Sequence, residues 1–162
     1  MGATMKMTAR WMLLITMPFV LLTAACSSSN GAAGPSATGS TSTAAAGGTV
    51  SVSLNQWTIT PTATTVPAGS VTFDVANDGT VTHEFVVLQT DTPAAEIPID
   101  SFEGEQDRID EDTAGTNVGE TGDMEAGATQ TLTLDLAPGH YVFVCNLPGH
   151  YGQGMHTDFI VA

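Results

Sequence analysis

Apolar and polar residues alternate along much of the chain after residue 48. Val50, Val52 and Leu54 alternate with Ser51, Ser53 and Asn55; Val71, Phe73 and Val75 with Thr72 and Asp74; Leu132, Leu134 and Leu136 with Thr131, Thr133 and Asp135. A period of two with β-branched residues predicts strands. His83-Glu84-Phe85-Val86-Val87-Leu88 reads as a nearly continuous apolar strand, Tyr141 to Cys145 as a fully apolar central one, and Thr157 to Val161 as the last. The breaks at Pro61, Pro67-Ala68-Gly69, Asn77-Asp78-Gly79 and Pro138-Gly139 carry turn chemistry. About six or seven short strands predict an all-β fold, an antiparallel β-sandwich.

One stretch breaks the pattern. Residues 90–127 hold twelve of the seventeen acidic residues, several glycines and little apolar surface. That is too long for a plain loop in a compact domain. It is expected to be a long acidic surface insertion between two strands, with a short helix near Ile97 to Phe102.

The front of the chain reads differently. Lys6 and Arg10 flank the start of an apolar run, Trp11 to Leu22, broken by Pro18 and followed by small residues up to Cys26. A basic start, a short apolar centre and a small-residue end predict a secretory signal peptide over residues 1–25. The run is too short to span a bilayer comfortably. Leu22-Thr23-Ala24-Ala25-Cys26 resembles a bacterial lipobox, with Thr23 where an aliphatic residue is usual. The resemblance implies that Cys26 is lipidated and becomes the mature N-terminus; ordinary cleavage near Ala25 is the alternative. Residues 26–48 are almost all Ser, Thr, Ala and Gly. Such a stretch buries too little apolar surface to offset its ordering entropy and is expected to be a flexible tether. The folded domain is then 49–162, exported, anchored to the cell membrane and facing away from the cytoplasm.

Charge and cysteine content narrow the function. All seventeen acidic residues lie after Cys26, where Arg108 is the only Lys or Arg, a net charge of −16 with His neutral. Such a surface repels nucleic acid and favours a basic partner. The only cysteines are Cys26 and Cys145. With Cys26 at the lipid end, Cys145 has no disulfide partner, and an unpaired thiol in an oxidising compartment survives when buried or metal-bound.

The candidate chemistry lies in Cys145-Asn-Leu-Pro-Gly-His150-Tyr-Gly-Gln-Gly-Met155. A thiolate, an imidazole and a thioether fall within eleven residues. A metal needs donors about 2–2.5 Å away whereas an extended chain advances about 3.3 Å per residue, so the segment must curl. Pro148-Gly149, Gly152 and Gly154 supply the turning. His83 is the candidate fourth ligand. It shares strand parity with Phe85 and Val87, and Cys145 shares parity with Tyr141 and Phe143; with the aromatics in the core, both point inward at one end of the sandwich. Two His, one Cys and a weak Met form the donor set of a blue-copper electron-transfer site holding one Cu(I)/Cu(II) ion. His140 lies on the opposite parity and is expected at the surface. His156 adjoins Met155 and is the less favoured substitute ligand.

The stretch resembles the cupredoxins, the plastocyanin/azurin superfamily of small blue copper proteins, over roughly residues 49–162. The spacing around His150 looks closer to rusticyanin and sulfocyanin than to plastocyanin. The resemblance implies a Greek-key β-sandwich, copper held by His83, Cys145, His150 and Met155, and electron shuttling. Many relatives carry Asn after the first His, bracing the Cys loop; Glu84 stands there instead, with Asn146 a candidate for part of that bracing. The expected partner is a redox protein such as a basic cytochrome or an oxidase copper domain. Enzymatic copper chemistry needs more His than the four present, so no enzyme is expected. Copper storage or delivery is the rival reading, but only Met124 and Met155 lie outside the leader. Use of the fold for adhesion alone would leave the complete ligand set unexplained.

Overall fold

The structure, a computed structural model, describes residues 47–102 and 105–162; the expected signal peptide, Cys26 and the expected tether through residue 46 lie outside the described residues. Strand β1 (Gly48–Asn55) turns through Gln56 and Trp57 into β2 (Thr58–Pro61), with Asn55 opposite Thr58. The short β3 (Thr65–Val66) is followed by β4 (Gly69–Asn77) and β5 (Val86–Gln89). Residues 90–127, the segment expected to be an insertion and so called below, carry β6 (Ile99–Phe102), β7 (Glu105–Ile109), a one-turn helix α1 (Glu111–Ala114) and β8 (Thr116–Glu120). The chain ends with β9 (Thr129–Leu136), β10 (Gly139–Val144) and β11 (His156–Val161).

Two sheets form the sandwich, ordered β2-β1-β4-β9 and β3-β11-β10-β5-β8, and β6-β7 is a separate hairpin. Pairing is antiparallel except for β1 with β4 and β11 with β3, which run parallel. The predicted alternation is what fills the space between the sheets: Val50, Val52, Leu54, Phe73, Val75, Phe85, Val87, Tyr141, Phe143 and Phe159 are all buried in one cluster. Phe73 joins the sheets, its ring centroid 5.3 Å from that of Phe143 and 5.7 Å from that of Phe159.

Two expectations need correction. His83 does not open a strand: it forms an isolated bridge with Met124, and β5 begins at Val86. The amides between are taken by side chains, Glu84 N–H by Cys145 Sγ and Phe85 N–H by Thr121 Oγ1, which removes them from the ladder. The helix expected at Ile97 to Phe102 is absent. A 3-10 turn over Ala94–Glu96 ends at Ile97 in extended conformation and β6 follows. Pro98 disfavours helical geometry at the residue before it, and Ile97 and Ile99 are β-branched. The helical turn comes later, at α1, where the Asp110 side chain caps the Asp112 N–H at 3.1 Å.

The insertion is more than a surface excursion. The residues of β5 and β10 on the parity opposite the main core, Val86, Leu88, Val142 and Val144, are buried in a second cluster with Ala94, Ile97, Ile109, Ala114 and Tyr151. The segment therefore covers the outer face of the five-stranded sheet, and β8 extends that sheet beside β5.

Candidate metal centre

Three backbone devices bring the donors together. Cys145 directly follows the last residue of β10, and its N–H donates to the Met155 carbonyl at 3.0 Å, closing the loop between them. Inside the loop, His150 N–H donates to Leu147 O at 3.0 Å and Met155 N–H to His150 O at 3.2 Å. Gly149 (φ 81°) and Gly154 (φ 100°) adopt the left-handed conformation that lets so short a segment double back. His83 is held from the other side of the chain: its N–H donates to Met124 O at 3.1 Å and its carbonyl accepts from Met124 N–H at 2.7 Å.

The side chains converge on one point. His83 Nδ1 lies 3.2 Å from His150 Nδ1, and Cys145 Sγ lies 3.2 Å from His150 Nδ1 and 3.9 Å from His83 Nδ1. A point equidistant from three atoms so spaced is about 2 Å from each, the length of a bond from a first-row metal to imidazole. Among the described residues these three form the one cluster of His, Cys and acidic side chains that could hold a metal ion. His83, Cys145 and Met155 are fully buried, whereas His150 is partly exposed. Met155 belongs to the same core cluster as Cys145. The donor set, soft sulfur with two imidazoles, is compatible with a single copper ion.

Burial sets the protonation of the metal-free site. Desolvation pushes the Cys145 thiol up to about 11, against hydrogen bonds from the Glu84 and Leu147 amides and helped by the nearby Glu84 and Asp123 carboxylates. Desolvation lowers His83 and His150, with His150 adding to the effect on His83. Near neutral pH the imidazoles are therefore neutral, with lone pairs available, and a metal must displace the thiol proton. His83 Nε2 is the buried side-chain nitrogen or oxygen without a hydrogen-bond partner among the described residues, so the imidazole's polar contacts are all made through Nδ1. Gly79 lies against that edge, where a Cβ would come within 2.9 Å of His83 Nε2.

The structure brings His83, Cys145 and His150 together, although His83 reaches the cluster from a bridge with Met124 rather than from the strand expected of it. The other two histidines stay outside the cluster. His140 Nε2 is 3.0 Å from Asp158, and its side chain is half-buried rather than at the open surface. His156 stacks on Tyr151 with centroids 4.8 Å apart. Glu84, a departure from the Asn of many relatives, still meets the residue after Cys145: its carboxylate accepts the Asn146 N–H at 2.7 Å. One neighbour escaped sequence reasoning. Trp57, in the turn between β1 and β2, places its ring centroid 4.7 Å from that of His150 and 6.1 Å from that of His83. Its signal was an aromatic residue alone in a polar turn, which does not point to a site in a distant segment.

Comparison with known proteins agrees with this architecture. The family model described as a cupredoxin-like domain matches residues 15–161. No curated protein matches. Among solved structures, sodium-dithionite-reduced auracyanin from the photosynthetic bacterium Roseiflexus castenholzii is similar at 24% identity and a TM-score of 0.51, covering 74% of this chain and 98% of that one. Azurin iso-2 from Methylomonas sp. strain J is similar at 17% identity and a TM-score of 0.50, over 73% and 99% of the two chains. Auracyanin A, a blue copper protein of Chloroflexus aurantiacus, is similar at 20% identity and a TM-score of 0.49, over 72% and 100%. The first two of these structures share the fold, and the family match spans most of the sequence: the chain belongs to the cupredoxin-like domain family.

Proposed function

We propose that this protein is a blue copper electron carrier, exported and held at the membrane through Cys26. The observation that carries the reading is the convergence of His83 Nδ1, His150 Nδ1 and Cys145 Sγ within 4.8 Å of one another. Copper bound there supplies a one-electron couple between Cu(II) and Cu(I). The Cys145 thiolate would be the strong donor, with the imidazoles of His83 and His150 and the thioether of Met155 the other residues that would hold the ion. Burial of His83, Cys145 and Met155 keeps water out and holds the donors in one geometry, which suits an electron carrier. His150, partly exposed beside Trp57 and Leu147, is the point at which electrons cross to a partner. The acidic surface steers a basic redox partner, such as a cytochrome or an oxidase copper domain, towards that face.

Copper delivery is the rival, and the burial of three donors argues against ready exchange of the ion. Voltammetry of the copper-loaded protein separates the two. A carrier gives a reversible one-electron wave that scales with copper content and survives repeated cycling. Loss of copper on reduction would point to delivery and overturn the carrier reading.

A further inference from the structure

The two residues that directly follow the loop ligands point away from the metal centre, and both are tied to the insertion. Asn146 follows Cys145 and is 2% exposed. Its Oδ1 accepts the Ile109 N–H at 2.9 Å, and its Nδ2 donates to Ile109 O at 3.1 Å and to Glu111 Oε1 at 2.8 Å. Tyr151 follows His150 and is 3% exposed. Its hydroxyl shares one proton between the carbonyls of Ala94 and Ile97, at 2.5 and 3.0 Å. The side chains of Ala94, Ile97 and Ile109 are in the second core with Tyr151. The same short segment that faces the metal cluster on one side is thus bolted to the insertion on the other.

We infer that the insertion acts as an external brace for the copper loop, with Asn146 and Tyr151 as positioning residues for Cys145 and His150. The inference rests on the copper reading above. Its physical basis is that buried polar groups must keep their partners. All three Asn146 side-chain bonds and both Tyr151 hydroxyl contacts are to insertion residues, so the loop cannot shift without stranding them. The Glu84 carboxylate accepts the Asn146 backbone N–H at 2.7 Å. The residue after Cys145 is therefore held through its backbone N–H by Glu84, next to the first ligand, and through its side chain by Ile109 and Glu111. Groups that orient metal ligands in this way set affinity and geometry even though they never touch the ion. The acidic segment thus contributes more than charge: the end of β7 at Ile109, the start of α1 at Glu111 and the 3-10 turn complete the ligand scaffold.

The test uses the full chain with Asn146→Ala and Tyr151→Phe, and Ile59→Ala as a control that weakens the main core away from the insertion. Copper affinity, by competition with a chromophoric chelator, and the Cu(II) EPR spectrum are read beside thermal stability. Asn146→Ala is expected to weaken affinity by about tenfold to a hundredfold and to alter the copper hyperfine pattern. Tyr151→Phe, which keeps the ring and removes one hydroxyl, moves both in the same direction by less, and it carries the test where Asn146→Ala does not fold. Ile59→Ala lowers stability only. Variants at Asn146 and Tyr151 that lose stability while keeping wild-type affinity and spectrum would overturn the inference. Hydrogen exchange in the metal-free protein gives a readout independent of copper. The Cys145 and His150 amides, both hydrogen-bonded, should exchange about tenfold faster in the two variants. Unchanged exchange rejects the brace. Accelerated exchange in a protein whose wild type shows no thiolate–copper spectrum keeps the brace and rejects the copper reading.

Discussion

Glu84 and Asn146, sixty-two positions apart, are joined by a 2.7 Å hydrogen bond from the Asn146 backbone N–H to the Glu84 carboxylate. The bond locks the residue after the first histidine to the residue after the cysteine. Glu84 also donates its own N–H to Cys145 Sγ at 3.3 Å, so one residue serves both the sulfur and the peptide beside it. Burial is the first cause that pushes its carboxyl up to about 7, with the carboxylates of Glu111 and Asp123 adding to it.

The role of Glu84 as acceptor is separable from its charge. Glu84→Ala leaves the buried Asn146 N–H without its partner and should cost about 1–3 kcal/mol of stability in the metal-free protein. Glu84→Gln keeps an acceptor oxygen and no longer buries a carboxylate, so it should cost less. Chemical denaturation of the two variants checks this; equal losses would show that the hydrogen bond contributes little.

Trp57 offers an optical report on the site. Its indole packs edge-on against the His150 ring. Copper loading should quench its emission, and Trp57→Phe should remove the copper-sensitive part, leaving only what Trp11 contributes in the full chain. Emission that is indifferent to copper in the wild type would contradict the placement of the metal beside His150.

Alkaline pH should unfold the protein through its two tyrosines. Tyr141 donates to the Ala137 carbonyl at 2.9 Å, Tyr151 to those of Ala94 and Ile97, and burial raises both above the ordinary value of 10.0. The folded state holds these protons more tightly than the unfolded chain. Stability from this source is therefore complete below pH 10 and is lost as pH rises above it. Tyrosinate absorbance should appear late and together with loss of β circular dichroism. A normal tyrosine titration in a protein that keeps its native dichroism would show the hydroxyls to be accessible.

Partner exchange should depend on salt. The chain after Cys26 carries seventeen acidic residues against one arginine. Electron transfer to a basic cytochrome should slow steeply as ionic strength rises through about 0.1 M, where the Debye length is about 10 Å. A flat salt dependence would remove the acidic surface from the docking step.

The sandwich and the inward direction of Cys145 were legible because parity is a strict rule in strands, whereas His83 and His150, outside the strands, were legible from residue type and spacing. Phe85 and Val87 share a face, as do Tyr141, Phe143 and Cys145, and all five lie in the main core. The second core was written in the same strands and less easily read. β5 and β10 are apolar on both parities, and a strand buried on both faces needs a cover on each. That cover is made by Ala94, Ile97, Ile109 and Ala114, four small or medium residues scattered among acids, too sparse to stand out as periodicity. Tyr151, which the sequence shows only as the residue after His150, faces residues 94–97 with its hydroxyl. The position of Trp57 depends on how a turn at one end of β1 folds over the metal cluster, a long-range packing outcome with no local pattern.

The central claim is that Cys145 and both imidazoles bind one copper ion. Its most direct test is the visible and EPR spectrum of the protein with one equivalent of Cu(II), beside that of Cys145→Ser. The expected result is an intense thiolate-to-copper band that bleaches reversibly with a mild reductant and is absent from the variant. A pale, ordinary cupric spectrum shared by both proteins would contradict it.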